Sequence, residues 1–337
     1  MNVAVVGATG AVGETIVRVL EERGVPIAAF GPFASRARSA AVRFRGRSLD
    51  VRAASADALR EFDVVFFASG EDASETYAPA LLERGAVVID NSATFRMRSG
   101  VPLIVPGVNG DVLRADHRLF PVANCTAIVL CTALRPIRDV AGLRRVFVAT
   151  YQAASGAGRT GLDELLAGER AVASGEPEPE PSVFARPLAR NVVPQVGALD
   201  AAGWSGEERK VRDETRKLLD LPDLVVSATA VRVPVRTAHS EAVFVETTRA
   251  ASTDELSAAF EAAPGIVFHR EGIVTPRDVE GTDDVHVARL RSSFDSAQDH
   301  KGKDFALWCV GDQLRRGAAT NAVQILELLL AKGYVKS

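Results

Sequence analysis

Cys125 lies in the run Phe120-Pro-Val-Ala-Asn-Cys-Thr-Ala-Ile, where a short extended segment gives way to an apolar helical pattern running towards Arg138. A thiol at a helix N-terminus meets backbone N–H groups and the positive end of the helix dipole. Both favour thiolate and can hold a developing oxyanion. The same residue in an apolar stretch can equally be inert core, so its company matters. The stretch Val231-Arg-Val-Pro-Val-Arg-Thr-Ala-His239-Ser-Glu supplies two suitable companions. Arg232 sits among β-branched residues in a strand that reads as buried, and a buried guanidinium calls for an anion, such as a substrate carboxylate. His239 follows a turn just before the next strand and is the best candidate for exchanging protons near neutral pH. His117 and His300 lie in polar loop sequence, and His269 and His286 in strand-like runs that structure alone could explain.

Two further groups are weaker. Gln152 falls at a strand-to-loop junction, Gln152-Ala-Ala-Ser155-Gly156-Ala-Gly158, able to bring an amide and bare backbone near a ligand. Glu207 and Lys210 share one face of a charged helix reaching Leu219, which reads either as a site or as an ordinary surface ion pair.

The elements that must position these groups follow from pattern. Asn2 to Val6 is a β-branched run, then comes Gly7-Ala-Thr9-Gly10-Ala11-Val12-Gly13, then a helical period from Glu14 to Arg23. Strand, glycine turn and helix together read as a pyrophosphate cradle, the alternative being a tight turn with no ligand. A second strand is expected at Pro26 to Phe30. No acidic residue follows it to meet ribose hydroxyls; Ser35, Arg36, Arg38 and Ser39 offer hydroxyls and guanidinium groups suited to a 2′-phosphate, which favours NADP over NAD. A solvated basic loop is the other reading. Strands at Asp63 to Ala68 and Ala86 to Asp90, with a helix at Ser74 to Arg84, complete a doubly wound parallel sheet. Ser69, Gly70 and Asn91 stand at its ligand-binding strand ends.

From Arg145 onward the texture changes to polar-alternating strands: Val146 to Ala154, Val225 to Val235, Glu241 to Thr248, Val285 to Arg291 and Phe305 to Val310. These predict an α+β region with a mixed, largely antiparallel sheet and helices on one face. Ala173 to Pro181 is expected to be an exposed loop.

With 337 residues, two domains and a cleft are expected. Forty basic against 43 acidic residues, without a basic stripe, argue against nucleic acid and for a small-molecule partner. The chain enters a strand pattern at Asn2 and holds no apolar run of membrane-spanning length, so a cytoplasmic protein is expected. Three cysteines without CxxC spacing or nearby histidines give no disulfide framework and no metal site.

The ordered set Gly7-Ala-Thr-Gly-Ala-Val-Gly13, Phe95-Arg96-Met97, Asn124-Cys125-Thr126, Gln152-Ala-Ala-Ser-Gly156, Glu207-Glu-Arg-Lys210, Arg232-Val-Pro-Val and His239-Ser-Glu resembles the aspartate-semialdehyde dehydrogenase family over essentially the whole chain. Leu314-Arg-Arg-Gly-Ala-Ala-Thr-Asn321-Ala-Val-Gln resembles that family's last helix, which folds back onto the nucleotide domain. The resemblance implies an N-terminal Rossmann-type NADP-binding domain, residues 1–124 completed by 313–337, and a catalytic and dimerisation domain, 125–312, in a homodimer.

It further implies NADPH-dependent reductive dephosphorylation of L-aspartyl-4-phosphate, releasing L-aspartate 4-semialdehyde and phosphate, in lysine, methionine and threonine biosynthesis. In that reading Cys125 is the nucleophile, His239 the acid/base, and Gln152 orients the acyl group. Arg232 pairs with the substrate carboxylate and Glu207 with its amino group; Arg96, Asn124 and Lys210 hold phosphate. The glycine turn, Ser35, Arg36, Arg38, Ser39, Ser69, Gly70, Asn91, Ser155, Gly156, Gln313 and Asn321 fall to the cofactor.

The chain departs from the family at Ala68-Ser-Gly-Glu71, Val105-Pro-Gly-Val-Asn109, Thr126-Ala127 and Asp312-Gln313, where the family usually has Ser-Ala-Gly-Gly, Val-Pro-Glu-Val-Asn, Ser-Thr and Asp-Asn. None removes a reacting group. Two other readings stay open: a related thiol-dependent reductase of N-acetylglutamyl phosphate or an acyl-CoA, and a non-catalytic paralogue. Glu207 with Arg232 argues against the first, the retained thiol and histidine against the second.

Overall fold

The computed structural model describes residues 1–35, 39–293 and 302–336. The chain forms two units, Met1–Asn124 with Gly317–Ser337, and Cys125–Arg316. The return crossing lies at Gly317, later than the Gln313 expected from the sequence.

The first unit comprises β1 (Asn2–Val6), α1 (Ala11–Glu22), β2 (Ala29–Ala34), the hairpin β3 (Ala41–Phe44) and β4 (Arg47–Asp50), β5 (Arg52–Ala53), α2 (Ala56–Leu59), β6 (Val64–Phe67), α3 (Glu71–Glu83), β7 (Val87–Asp90), α4 (Pro106–Asn109) and β8 (Leu119–Pro121). Six strands make one parallel sheet in the order β5-β2-β1-β6-β7-β8. Every residue of β6 and β7 is buried, as strands covered on both faces must be. Strand order reverses direction between β1 and β6, which opens the ligand crevice of a doubly wound sheet at their C-terminal ends.

β2 begins at Ala29 and runs to Ala34, which corrects the expected Pro26 to Phe30. Pro32 interrupts the strand pattern. It is tolerated because β5 pairs only with Phe33 and Ala34, so at Pro32 the strand has a neighbour on one side alone.

The second unit contains α5 (Cys125–Ala141), β9 (Arg145–Gln152), α6 (Gly158–Ser174), α7 (Gly206–Leu219), β10 (Val225–Arg232), β11 (His239–Glu246), α8 (Thr253–Ala262), β12 (Ile266–His269), α9 (Pro276–Val279), β13 (Val285–Ser292) and β14 (Asp304–Gly311). Its sheet is mixed, in the order β10-β9-β11-β14-β13-β12, with parallel pairs at the two edges and antiparallel pairs between. β12 is absent from the strands expected from the sequence, although its last residue, His269, was read in a strand-like run. Twelve of the 17 residues of α5 are buried, which makes it a core helix, packed by α7, α8 and the strands β13 and β14. On β9, β10 and β11 the alternate residues Phe147, Tyr151, Val225 and Phe244 remain exposed. The expected loop at 173–181 starts only at Gly175, whose left-handed conformation closes α6 after Ser174.

α10 (Thr320–Ala331) returns to the first unit. It packs on α1, α4 and β7, and Glu327 receives two hydrogen bonds from Arg23 at 2.8 and 2.7 Å. Among the described residues, no helix is long and apolar enough to cross a membrane.

Candidate active site

Cys125 opens α5 and is partly exposed, where the dipole end acts on it directly. The next residue, Thr126, is buried and binds the end of β9: Gln152 Nε2 donates to Thr126 Oγ1 at 2.7 Å and to Glu207 Oε1 at 3.1 Å. One amide thus ties the helix start to the first turn of α7. Glu207 is aimed at this point by its neighbour. Ser205 and Glu208 form a capping box, and Glu208 Oε1 also accepts from the Ala230 N–H of β10 at 3.0 Å. That anchorage sets the rotation of α7 and turns Glu207 towards Gln152, whereas Lys210 is exposed.

Arg232 is the last residue of β10, directly paired with Gln152 on β9. Its guanidinium is buried, donates through Nη1 to the Ala153 carbonyl at 2.6 Å and lies over the Phe184 ring. Burial lowers its pKa, opposed by the negative charges of Cys125 and Glu207. An arginine remains cationic under these conditions, so both the thiol and any substrate anion face a fixed positive charge.

His239 begins β11, a strand that the sequence reading started only at Glu241. It is fully buried, and the Ala153 N–H donates to its Nδ1 at 3.1 Å. A backbone N–H can only donate, so the neutral ring carries its proton on Nε2. Burial and the Arg232 charge push its pKa down to about 3. Nε2 is buried without a hydrogen-bond partner. Gly156 lies over it: a Cβ there would come within 2.9 Å of Arg232 Nη1 and 3.0 Å of His239 Nε2. The structure therefore brings Gln152, Thr126, Glu207, Arg232, Gly156 and His239 together, and Cys125 acts electrostatically on Arg232. His269 and His286 bond to each other at 3.0 Å; His300 lies outside the described residues.

Ser155 and Gln313 have internal duties. Gln313 Nε2 donates to Ser155 Oγ at 2.5 Å, and Gln313 Oε1 accepts from the Ala238 N–H at 2.7 Å.

In the first unit the glycine turn is a tight cradle. Gly7 has φ +90, and a Cβ on it would meet the Ala68 carbonyl oxygen at 2.6 Å; one on Gly13 would meet Gly7 O at 2.0 Å. Thr9 lies in this turn; Gly10 is the N-cap of α1 and makes no side-chain cap, and Ala11 and Val12 start the helix. At the ends of β6 and β7, Ser69 Oγ and Asn91 Oδ1 are buried with no partner, while Gly70 has φ +96 and open space around it. These orphaned atoms beside a glycine cradle fit a dinucleotide.

Asp90 organises the following loop, accepting from Ser74 Oγ at 2.7 Å, Ser92 N at 2.9 Å and Ser92 Oγ at 2.7 Å; Arg96 is buried in that loop and donates to Asn91 O at 3.0 Å. Asn124 is buried at the end of the unit. Asn321, fully buried on α10, donates to Ile104 O at 3.1 Å. Ser35 and Ser39 are exposed; Arg36 and Arg38 lie outside the described residues.

Thr126, Phe184, Asp90 and Glu208 were missed as site residues. Thr126 could have been found from its place beside the thiol; Phe184 carries no local signal. No metal-binding group is found among the described residues.

Residues 2–115 match the family model described as semialdehyde dehydrogenase, NAD binding domain, and residues 134–316 the one described as semialdehyde dehydrogenase, dimerisation domain. An aspartate-semialdehyde dehydrogenase of Shewanella sp. (strain DB6705) is 39% identical, covering 99% of this chain and 98% of its own. One from Bacillus subtilis is 37% identical over 98% of this chain and 97% of its own. The crystal structure of aspartate semialdehyde dehydrogenase II from Vibrio cholerae, complexed with ASA, is 37% identical and superposes with TM-score 0.92 over 98% of both chains.

Proposed function

Because this chain belongs to the aspartate-semialdehyde dehydrogenase family, an oxidoreductase family of amino-acid biosynthesis, we propose that it reductively dephosphorylates L-aspartyl-4-phosphate through a Cys125 thioester, using NADPH. The products are L-aspartate 4-semialdehyde and phosphate, on the route to lysine, methionine and threonine, in the cytoplasm. The observation that carries this reading is the unpartnered His239 Nε2–H beside Arg232, under a residue with no side chain. The site lacks one acceptor, and the oxygen of a reacting acyl group supplies it.

The Cys125 thiolate attacks the acyl carbon, and phosphate leaves with the electrons of the carbon–oxygen bond it breaks. NADPH, when bound, supplies the hydride that reduces the thioester. The resulting thiohemiacetal loses aldehyde and regenerates the thiol. His239 donates from Nε2 to the oxygen that carries negative charge in the tetrahedral states, aided by the helix start at Cys125. A neutral imidazole does this without adding a second cation beside Arg232. Arg232 takes the α-carboxylate in its forked donors, and Glu207 the ammonium group. Gln152, held by Thr126 and Glu207, orients the acyl group. Arg96, Asn124 and Lys210 receive phosphate.

Gly7 to Gly13, Ser69, Gly70, Asn91 and Asn321 would hold the dinucleotide, joined by Gly156; Ser155 and Gln313, expected there from the sequence, are engaged with each other and with the Ala238 N–H. The preference for NADP is supported by the corrected end of β2: the residue after Ala34 is Ser35, followed by Arg36, Arg38 and Ser39, with no carboxylate. The exposed apolar row Phe147, Tyr151, Val225 and Phe244 supports a homodimer through the second unit's sheet.

The test is phosphate-dependent oxidation of L-aspartate semialdehyde with NADP and with NAD, together with mass spectrometry of Cys125 after the semialdehyde and NADP, as hydride acceptor, are added without phosphate. A +115 Da class of aspartyl adduct, roughly the aspartyl acyl mass, supports the reading. Equal or faster turnover of N-acetylglutamate semialdehyde would overturn the substrate, and an adduct on another residue would overturn the mechanism.

A further inference from the structure

Five described non-glycine residues have positive φ, and Ala238, at +70, is the buried one; Arg45, Arg190, Asp220 and Arg289 are exposed. An alanine in the left-handed region is strained by its Cβ against the following carbonyl, and its methyl group offers no local hydrogen bond in return. Tertiary contacts must hold it, and one side chain does so. Gln313 Oε1 accepts the Ala238 N–H, while Gln313 Nε2 donates to Ser155 Oγ. Ser155 Oγ in turn donates to Arg236 O at 2.5 Å, and the Ser155 and Ala154 N–H groups donate to Arg236 O and Val235 O at 3.1 and 2.8 Å.

This network joins three segments: the loop that carries Gly156 and the Ala153 N–H, the turn that delivers His239, and the chain leaving β14. Register explains the reach. His239 pairs with Gly311, so the residue before His239 and the residue two beyond Gly311 come out on the same end of the sheet. Both ends of the Gln313 amide are used, and the residue is buried.

We propose that Gln313 is a positioning residue for His239: it holds Ala238 in the left-handed conformation and the Ser155–Gly156 loop against it, which aims Nε2 at the reacting oxygen. This rests on the reading of His239 given above. It differs from the cofactor contact expected for Gln313 from the sequence, and the two roles give different kinetics.

The experiment measures kcat and KM for aspartate semialdehyde and NADP in Gln313→Ala, Gln313→Met, Ala238→Gly and the double variant Gln313→Ala/Ala238→Gly, with thermal unfolding as a check of the fold. Gln313→Met preserves volume if Gln313→Ala does not fold. Loss of Gln313 is expected to lower kcat about tenfold to a hundredfold, as misplacement by about 1 Å does, with KM for NADP little changed. Glycine at 238 removes the conformational cost, so the double variant recovers most of the lost kcat. A raised KM for NADP with kcat intact, unchanged kinetics, or no recovery in the double variant would each overturn the proposal. His239→Asn separates the two readings: full activity there sinks the site assignment, whereas an inactive His239→Asn beside a fully active Gln313→Ala sinks this inference alone.

Discussion

The first and second turns of α5 carry the same reactive group in opposite settings. Cys125, at the helix start, is partly exposed and close enough to Arg232 for each charge to act on the other. Cys131, further along the same helix, is fully buried against Thr215 with Sγ 3.7 Å from Oγ1, and burial pushes its thiol pKa up. Cys309 resembles Cys131: it faces the buried Glu241 at 3.4 Å, and its pKa also rises through burial. Access, a dipole end and a fixed cation make a thiol a nucleophile, and an apolar wall takes all three away.

The sharpest way to break the contrast is Cys125→Ala, expected to lower kcat by about five orders of magnitude or more, as removal of a covalent nucleophile does, while NADPH still binds. Cys131→Ala should keep its kcat and lose about 1 kcal/mol of stability. If Cys131→Ala were the inactive variant, the comparison would be inverted. Removing the proton donor comes next: His239→Asn should cost about 10²- to 10⁴-fold in kcat, measured at saturating substrate.

Gly156→Ala tests the roof above that donor. Its methyl group has to displace Arg232 or His239, so roughly a tenfold to hundredfold loss in kcat is expected; unchanged kcat would show that Nε2 is reached from another side. A separate effect falls on stability and not on kcat. The folded pKa of His239 is about 3 against an ordinary 6.5, so on acidification the unfolded chain takes up a proton that the folded chain refuses. The stabilisation is present above about pH 6.5 and is lost towards pH 3, at about 1.4 kcal/mol per pH unit. Urea unfolding of His239→Asn should show a flatter decline than the wild type over that window.

The contrast between the thiols was half legible in the sequence. A strand-to-helix junction is a pattern, so Cys125 could be placed at a helix start, and the glycine turn before α1 was visible for the same reason. Arg232 announced itself as a charge among β-branched residues. The left-handed Ala238 did not, because nothing about an alanine signals positive φ, and the strand after it was therefore started at Glu241 when it begins at His239. The dual use of the Gln152 amide, the Glu208 anchor and the Phe184 ring over Arg232 depend on pairings many residues apart in the chain. No local window contains them. β2 was misplaced because proline normally argues against a strand, and only the short reach of β5 makes Pro32 acceptable.

The return of the chain at Gly317 has a consequence for biogenesis. The first unit is assembled from two distant pieces, and α10, with Val323, Ile325, Leu326 and Leu329 buried, is its last piece to leave the ribosome. The second unit is one continuous stretch that can close earlier. During synthesis the apolar surface of α1, α4 and β7 that α10 covers therefore stays open until translation reaches that helix, which is when aggregation or chaperone capture competes with folding.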